Sequence, residues 1–138
     1  MVIAVDFDGT IVEHAYPAIG RPIPFAIDVL KKLCYEEYHQ LILWTVREGT
    51  LLDDAVAYCR EQGVEFYAVN RNEPEDVEVS YPRKVLADIY IDDRNLGGLP
   101  DWGVIYRIIK YNESWQDAYL NNDMLPPKKT FFAQLFSR

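Results

Sequence analysis

The sequence is poor in the residues that build disulfide frameworks and zinc sites. Only two cysteines and two histidines occur among its 138 residues. Two cysteines are too few for a disulfide framework, and no Cys/His cluster with zinc-ligand spacing is present. We expect Cys34 and Cys59 to be buried thiols with a structural role, because each falls at an apolar position of a predicted helix.

Long apolar runs and excess positive charge are also missing. No apolar segment approaches the roughly 18 residues that span a bilayer, and the first residues do not resemble a secretion signal. Lys and Arg number 14 against 22 Asp and Glu, giving a formal charge of −8. This charge disfavours nucleic acid and anionic membranes as partners, although it leaves room for a local basic patch. We expect a cytoplasmic protein.

The length is that of one domain, long enough for a real hydrophobic core but short for two. We therefore expect a single domain over residues 1–138, with a core over about 1–110 and a helical tail over about 111–138. Four apolar residues of the tail fit one helical face, which would pack on the parent domain or on another subunit: Phe131, Phe132, Leu135 and Phe136.

Short apolar runs alternate with helical patterns along most of the chain. Residues 2–5 and 41–44 are typical of parallel strands covered on both faces, and residues 64–69 and 89–91 are the expected third and fourth strands. Strand, helix, strand, helix, strand predicts right-handed βαβ units. The expected fold class is α/β, a doubly wound, Rossmann-like parallel sheet with helices on both faces. Ligands of such sheets bind at the carboxyl ends of the strands.

The helix boundaries are predicted from local signals. Pro24 is expected in the first turn of the first helix, whereas Thr50 with Asp53 resembles a capping box for the second, which Gly63 would end. A third helix is favoured over residues 103–109, with a fifth strand as the alternative.

Two pairs of aspartates follow two of the predicted strands. Asp6 and Asp8 come directly after the first strand in DFDGT, and Asp92 with Asp93 ends the fourth in YIDDRN. Carboxylates brought together at one sheet edge repel one another unless a cation lies between them. All-oxygen ligation suits Mg²⁺, which commonly joins one or two carboxylates to a phosphate. Either pair alone could instead cap a helix or turn.

Two further polar residues lie between the acidic pairs. Thr45, at the end of LILWT, offers a hydroxyl and a backbone N–H to an oxyanion, and Lys84 precedes Asp92. Taken singly, Thr45 could merely finish a strand and Lys84 could be a surface lysine. The order DFDGT, WT, K, IDD resembles the haloacid dehalogenase superfamily over about residues 1–95. Its four motifs end successive strands of a doubly wound sheet.

The resemblance implies a Mg²⁺-dependent phosphatase acting on a phosphorylated substrate through an aspartyl-phosphate. Asp6 would be the nucleophile. Asp8 would protonate the departing alcohol and then activate water, while its backbone carbonyl joins the metal. Because a halide leaving group needs no proton, Asp8 favours phosphate chemistry over dehalogenation.

The remaining motifs would bind the phosphoryl group and the metal. Thr45 would bind a phosphoryl oxygen, and Lys84 would stabilise the charge of that group and of Asp6, with its neighbour Arg83 as the alternative. Asp92 and Asp93 would hold Mg²⁺ directly or through water, and either could be the direct ligand.

The chain resembles the capless branch of the superfamily. The intervals 11–44 and 70–83 leave no room for the cap domain that encloses small metabolites. Capless relatives act on exposed phosphates of large substrates or borrow a lid from a neighbouring subunit, so a homo-oligomer is one expectation. The segment VEHAYPAIGRPIP could instead form a flap over the site. Expected substrate contacts are His14, Tyr16 and Arg21 on this flap, and Arg47, which could alternatively brace the site.

The substrate class stays open among nucleotides, sugar phosphates and phosphorylated macromolecules. Two non-enzymatic alternatives also remain. A signalling receiver domain carries its nucleophile after strand three, but here that strand ends in AVNRN, without an aspartate. The other alternative is a phosphate- and Mg²⁺-binding module without turnover, but such a module would not need Asp8 as a general acid.

Overall fold

Four parallel strands form one sheet in the order β3-β2-β1-β4, in a computed structural model that describes residues 1–76 and 84–120. The strands are β1 (Val2–Val5), β2 (Gln40–Leu43), β3 (Ala68–Val69) and β4 (Ile89–Ile91). Val5 is paired with Leu43 on one side and with Ile91 on the other. The predicted α/β class is confirmed, and the carboxyl ends of β1, β2 and β4 lie level with one another.

The third strand is shorter than its apolar pattern predicts. The prediction covered residues 64–69, but only Ala68–Val69 is extended and paired. The N–H of Val64 donates to the carbonyl of Cys59, which places this residue in the turn that closes the preceding helix. Pairing with β2 begins only where the N–H of Tyr67 donates to the carbonyl of Leu41.

The helices are α1 (Ala26–Lys31), which continues into a π-helical turn over Lys32–Glu36, then α2 (Gly49–Glu61), α3 (Trp102–Tyr111) and α4 (Trp115–Leu120). The helix predicted over residues 103–109 is confirmed, and the alternative strand there is wrong. Residues 131–136, predicted to share an apolar face, lie outside the described residues. The chain divides into two compact units, residues 1–106 and 107–138.

Two predicted helix starts are wrong. Pro24 is outside α1, because Phe25 precedes the first helical residue in a left-handed conformation with φ of 65°. The predicted capping box does not form, since α2 begins at Gly49 after Glu48, which makes no capping hydrogen bond through its side chain. The predicted end of α2 is confirmed, with Gly63 at φ of 88° just beyond the last turn.

The core of the larger unit is built on the sheet. Ile3, Val5, Ile42 and Leu43 are fully buried, as expected for central parallel strands. Cys59 is buried as predicted, but Cys34 lies in the π-helical turn and is only partly buried. Within residues 1–76 and 84–120, no helix is both long and apolar enough to cross a membrane.

Candidate active site

Three carboxylates converge at the carboxyl edge of β1 and β4. The backbone N–H of Asp6 donates to the carbonyl of Ile91 at 3.0 Å, which extends the pairing of these strands to their last residues. Asp92 and Asp93 follow immediately. One carboxylate oxygen from each of Asp6, Asp92 and Asp93 lies within 4.8 Å of the other two, and all three residues are partly buried. Oxygen donors at this spacing form a candidate site for a hard cation.

The electrostatics of the cluster favour a bound positive charge. Burial, with added repulsion from Asp92 and Asp93, raises the pKa of Asp6 to about 7. Hydrogen bonds from the Phe7 backbone and the Thr10 hydroxyl act in the opposite direction. Burial also disfavours ionisation of Asp93, but the hydrogen bond and charge of His14, together with a hydrogen bond to Asp6 and the charge of Arg94, outweigh it, so the pKa of Asp93 is lowered. Asp6 is therefore the carboxylate that a cation would stabilise most.

Thr10 bridges two of these carboxylates, a role that the sequence interpretation missed. Its hydroxyl donates to Oδ2 of Asp6 at 3.1 Å and accepts the backbone N–H of Asp93 at 3.0 Å. The Thr10 side chain is fully buried, and its carbonyl accepts the indole N–H of Trp102 at 3.0 Å. The signal was present, since this threonine is the last residue of DFDGT.

Gly9 lets the chain turn between the acidic pair and Thr10. Its φ is 83°, and a Cβ built on it would lie 2.5 Å from Oδ2 of Asp93. Nearby, Nε2 of the exposed His14 lies 2.9 Å from the same carboxylate oxygen. Any side chain at position 9 would therefore displace the cluster as well as strain the backbone.

The carboxylate of Asp8 lies outside this group of three. It is buried and accepts two hydrogen bonds from Arg47, at 2.7 Å from Nε and 2.7 Å from Nη2. The structure thus brings Asp6, Asp92 and Asp93 together, and it places the Asp8 side chain in a separate ion pair.

Thr45 follows β2 at the same sheet edge, but its hydrogen-bonding groups have protein partners. Its hydroxyl accepts the N–H of Arg47 at 3.2 Å, and its own N–H donates to Oδ1 of Asn70 at 2.8 Å. Asn70 follows β3 with φ of 52°, a left-handed conformation that asparagine tolerates better than most residues. The sequence interpretation did not identify Asn70.

Lys84 is exposed, and its Nζ lies 4.6 Å from the centre of the Tyr90 ring. Among the described residues it forms no ion pair with Asp6. The hydroxyl of Tyr90 donates to the carbonyl of Val85 at 2.5 Å, which fixes this ring against the segment that carries the lysine. Arg83, the alternative to Lys84, lies outside the described residues.

Residues 13–22 form a hairpin-like flap beside the acidic pair. Val12 and Pro22 make an antiparallel bridge, and the N–H of Glu13 donates to the carbonyl of Arg21 at 2.8 Å. The guanidinium of Arg21 binds the Glu13 carboxylate at 2.9 Å and 3.2 Å. Tyr16 is exposed, with its ring centre 5.3 Å from the guanidinium carbon of Arg47. The predicted flap residues thus lie on one ordered segment.

Comparison with protein-family models gives no match, and none of the curated proteins compared matches either. Among solved structures, the chain is similar to a conserved protein encoded by a locus of Bacteroides thetaiotaomicron, with 58% sequence identity and a TM-score of 0.79. The similarity covers 86% of this chain and 97% of that protein.

Proposed function

We propose that this chain, which belongs to the same protein family as the conserved Bacteroides thetaiotaomicron protein, is a Mg²⁺-dependent phosphomonoester hydrolase of the haloacid dehalogenase superfamily. One observation carries the proposal: the first aspartate of DFDGT and both aspartates of IDD meet at one edge of a parallel sheet, with oxygens from Asp6, Asp92 and Asp93 within 4.8 Å of one another. Thr45 follows the neighbouring strand β2 at that edge.

The donor set fits Mg²⁺. It consists of oxygen atoms alone, and its carboxylates are only partly buried, so that water and a phosphate oxygen could supply the remaining ligands. The metal, when bound, would neutralise the carboxylates and draw the phosphate towards them. Asp8 would contribute only its backbone carbonyl, because both oxygens of its carboxylate accept hydrogen bonds from Arg47.

Asp6 would act as the nucleophile. An Asp6 oxygen would attack phosphorus as the bond from phosphorus to the ester oxygen breaks, and the departing oxygen would take a proton that Asp8 has bound from solvent on a lone pair not used by Arg47. Asp8 then accepts a proton from water, which attacks the aspartyl-phosphate and releases inorganic phosphate. The Thr10 hydroxyl, bonded to Oδ2 at 3.1 Å, would hold the Asp6 carboxylate in one orientation throughout.

Thr45 and Lys84 are the proposed phosphoryl contacts, as the family pattern implies. The Thr45 N–H would have to exchange its bond to Asn70 for a phosphoryl oxygen, whereas its hydroxyl can rotate towards one. The position of His14 supports a substrate contact, because its Nε2 lies 2.9 Å from Oδ2 of Asp93 at the candidate metal site. A nucleotide, a sugar phosphate or a phosphorylated macromolecule would each suit this site, which no cap domain encloses among residues 1–76 and 84–120. We propose that the protein acts in the cytoplasm.

The test is a panel of phosphate esters assayed with the full chain in the presence of Mg²⁺ or EDTA. We expect hydrolysis that EDTA abolishes and that Asp6→Asn lowers to the uncatalysed rate. Asp28→Asn, an exposed acidic substitution in α1, serves as the matched control and should retain full activity. Hydrolysis that persists in Asp6→Asn would contradict the mechanism. Phosphate and Mg²⁺ binding without turnover of any ester would favour the non-catalytic binding module.

A further inference from the structure

Arg47 is a charged side chain that is completely buried. Its exposed fraction is 0%, and its guanidinium makes four hydrogen bonds. Two go to the Asp8 carboxylate, and the others go to the carbonyls of Pro17 and Ala18 at 3.1 Å and 2.8 Å. The hydrogen bonds to Asp8 raise the pKa of Arg47, so the side chain keeps its charge at any physiological pH.

These contacts join three separate segments of the chain. Arg47 itself lies on the loop after β2, Asp8 lies on the loop after β1, and Pro17 with Ala18 forms the turn of the flap. The guanidinium carbon also lies 5.0 Å from the ring centre of Phe7 and 5.3 Å from that of Tyr16. One cation therefore sets the position of the flap turn relative to the Asp8 carboxylate.

Simple packing does not account for this arrangement. Replacing a buried ion pair by apolar residues of similar volume is often neutral or stabilising. A side-on arginine pair instead fixes the plane of a carboxylate, because two parallel hydrogen bonds hold both of its oxygens. Lysine, a point charge, cannot reproduce that fork. The chemistry of the contact thus favours orientation of Asp8 over stability.

We propose that Arg47 is a positioning residue for the leaving-group step: it fixes the Asp8 carboxylate and fastens the flap turn beside it. This inference rests on the proposed function. Arg47 would not touch the reacting phosphorus, and it would act through Asp8 alone. Its loss should therefore impair proton donation to a basic leaving group and leave Mg²⁺ binding by Asp6, Asp92 and Asp93 intact.

The discriminating measurement compares two esters in the first turnover. Nitrophenolate leaves from p-nitrophenyl phosphate with little need of a proton, whereas an alkoxide leaving from a simple alkyl phosphate needs one. For Arg47→Lys and Arg47→Met we expect first-turnover cleavage of the alkyl ester to slow about 100-fold or more, and that of the aryl ester less than about tenfold. Asp8→Asn should give the same selective loss. Equal losses on both esters, or no loss on either, would overturn the proposal.

Arg60→Met is the matched control, because Arg60 is exposed on α2 and pairs only loosely with Glu65 at 3.9 Å. It should cleave both esters at the wild-type rate. Arg47→Met leaves Asp8 buried without its partner and could fail to fold, which circular dichroism would reveal. In that event the role of Arg47 is tested with Arg47→Lys and with the double variant Asp8→Asn/Arg47→Met, which leaves no buried charge without a partner. The double variant should be no slower on the alkyl ester than Asp8→Asn.

Failure of the proposed function would give a different result from failure of the inference about Arg47. If the wild-type protein with Mg²⁺ cleaves neither of these esters nor any other ester of the panel, the phosphatase proposal fails, and the structural half of the inference is judged by hydrogen exchange. The N–H of Glu13, bonded to Arg21 within the flap, should exchange at least about tenfold faster in Arg47→Lys than in Arg60→Met. Equal exchange in the two variants would show that Arg47 does not fasten the flap.

Discussion

The hydroxyl of Thr10 donates a hydrogen bond to Oδ2 of Asp6, with 3.1 Å between the two oxygens. The same hydroxyl accepts the backbone N–H of Asp93 at 3.0 Å. A single buried oxygen thus connects the carboxyl end of β1 to that of β4, and it fixes the distance between two members of the candidate metal site.

Replacing Thr10 by valine should loosen this connection at nearly constant volume. Thr10→Val leaves the Asp93 N–H without its acceptor, so we expect a loss of about 1–3 kcal/mol in the free energy of unfolding. Weaker Mg²⁺ binding should accompany it. Urea denaturation and calorimetric titration measure the two effects. Thr10→Ser keeps the hydroxyl and should bind Mg²⁺ as the wild type does, and equal binding by Thr10→Val would contradict this role.

Asp6 should destabilise the metal-free protein as the pH rises. Its pKa is about 7 in the folded state against 3.8 for an ordinary aspartate, so the folded state binds more protons between these values and loses stability as the pH increases. Asp6→Asn should therefore gain stability over the wild type from about pH 4 to pH 7 and keep a constant advantage above pH 7. Because Asp6 is partly exposed, we expect an advantage of about 1–3 kcal/mol.

Thermal unfolding of both proteins across this pH range, without metal, tests the prediction. Asp28→Asn, on the exposed face of α1, should show no such trend. An Asp6→Asn advantage that is the same at pH 5 and pH 8 would mean that Asp6 ionises normally.

Cation binding should release a proton near neutral pH. A ligand carboxylate must be ionised, and the raised pKa of Asp6 leaves it largely protonated below pH 7. Calorimetric titration with Mg²⁺ at pH 6.5, in buffers of different ionisation enthalpy, should show proton release by the wild type and none by Asp6→Asn. Affinity should rise with pH and level off above pH 7. Identical heats in all buffers would argue against Asp6 as a ligand.

Asn70 should support Thr45 in two separable ways. Asn70→Ala removes the acceptor of the Thr45 N–H and places alanine, which tolerates a left-handed backbone less well than asparagine, at φ of 52°. We expect a loss of about 2 kcal/mol in unfolding free energy. Asn70→Gly removes only the hydrogen bond, so its loss should be about half as large. Urea denaturation compares the two, and equal losses would show that the left-handed backbone carries no strain.

The strand ends and their aspartates could be predicted from the sequence because both are local patterns. Apolar runs mark β1 and β4, and the residue after a parallel strand must lie at the ligand-binding edge. The start of β3 could not be predicted, because residues 64–66 are no less strand-like in composition than those that follow. The hydrogen bond from the N–H of Val64 to the carbonyl of Cys59 keeps residue 64 out of β3. Whether this bond forms depends on where α2 ends.

The pairing of Asp8 with Arg47 could not be predicted from the sequence for a different reason. Arg47 lies on another loop, and its guanidinium reaches Asp8 only because β1 and β2 are neighbours with level ends. Sequence reasoning left Arg47 as either a substrate contact or a brace. The same limit applies to Asn70, since nothing in AVNRN indicates a left-handed backbone or a bond to Thr45. Local composition predicts which residues reach the edge, and tertiary geometry decides which of them pair.

β4 lies at the edge of the sheet and is only three residues long. Within residues 1–76 and 84–120 it pairs with β1 alone, yet the two aspartates that follow it belong to the candidate metal site. A cation held there could bind fully only while this short strand is docked, so its binding free energy would add to the pairing of β4 with β1. Metal availability would then govern the integrity of the fold at this edge as well as the chemistry beside it.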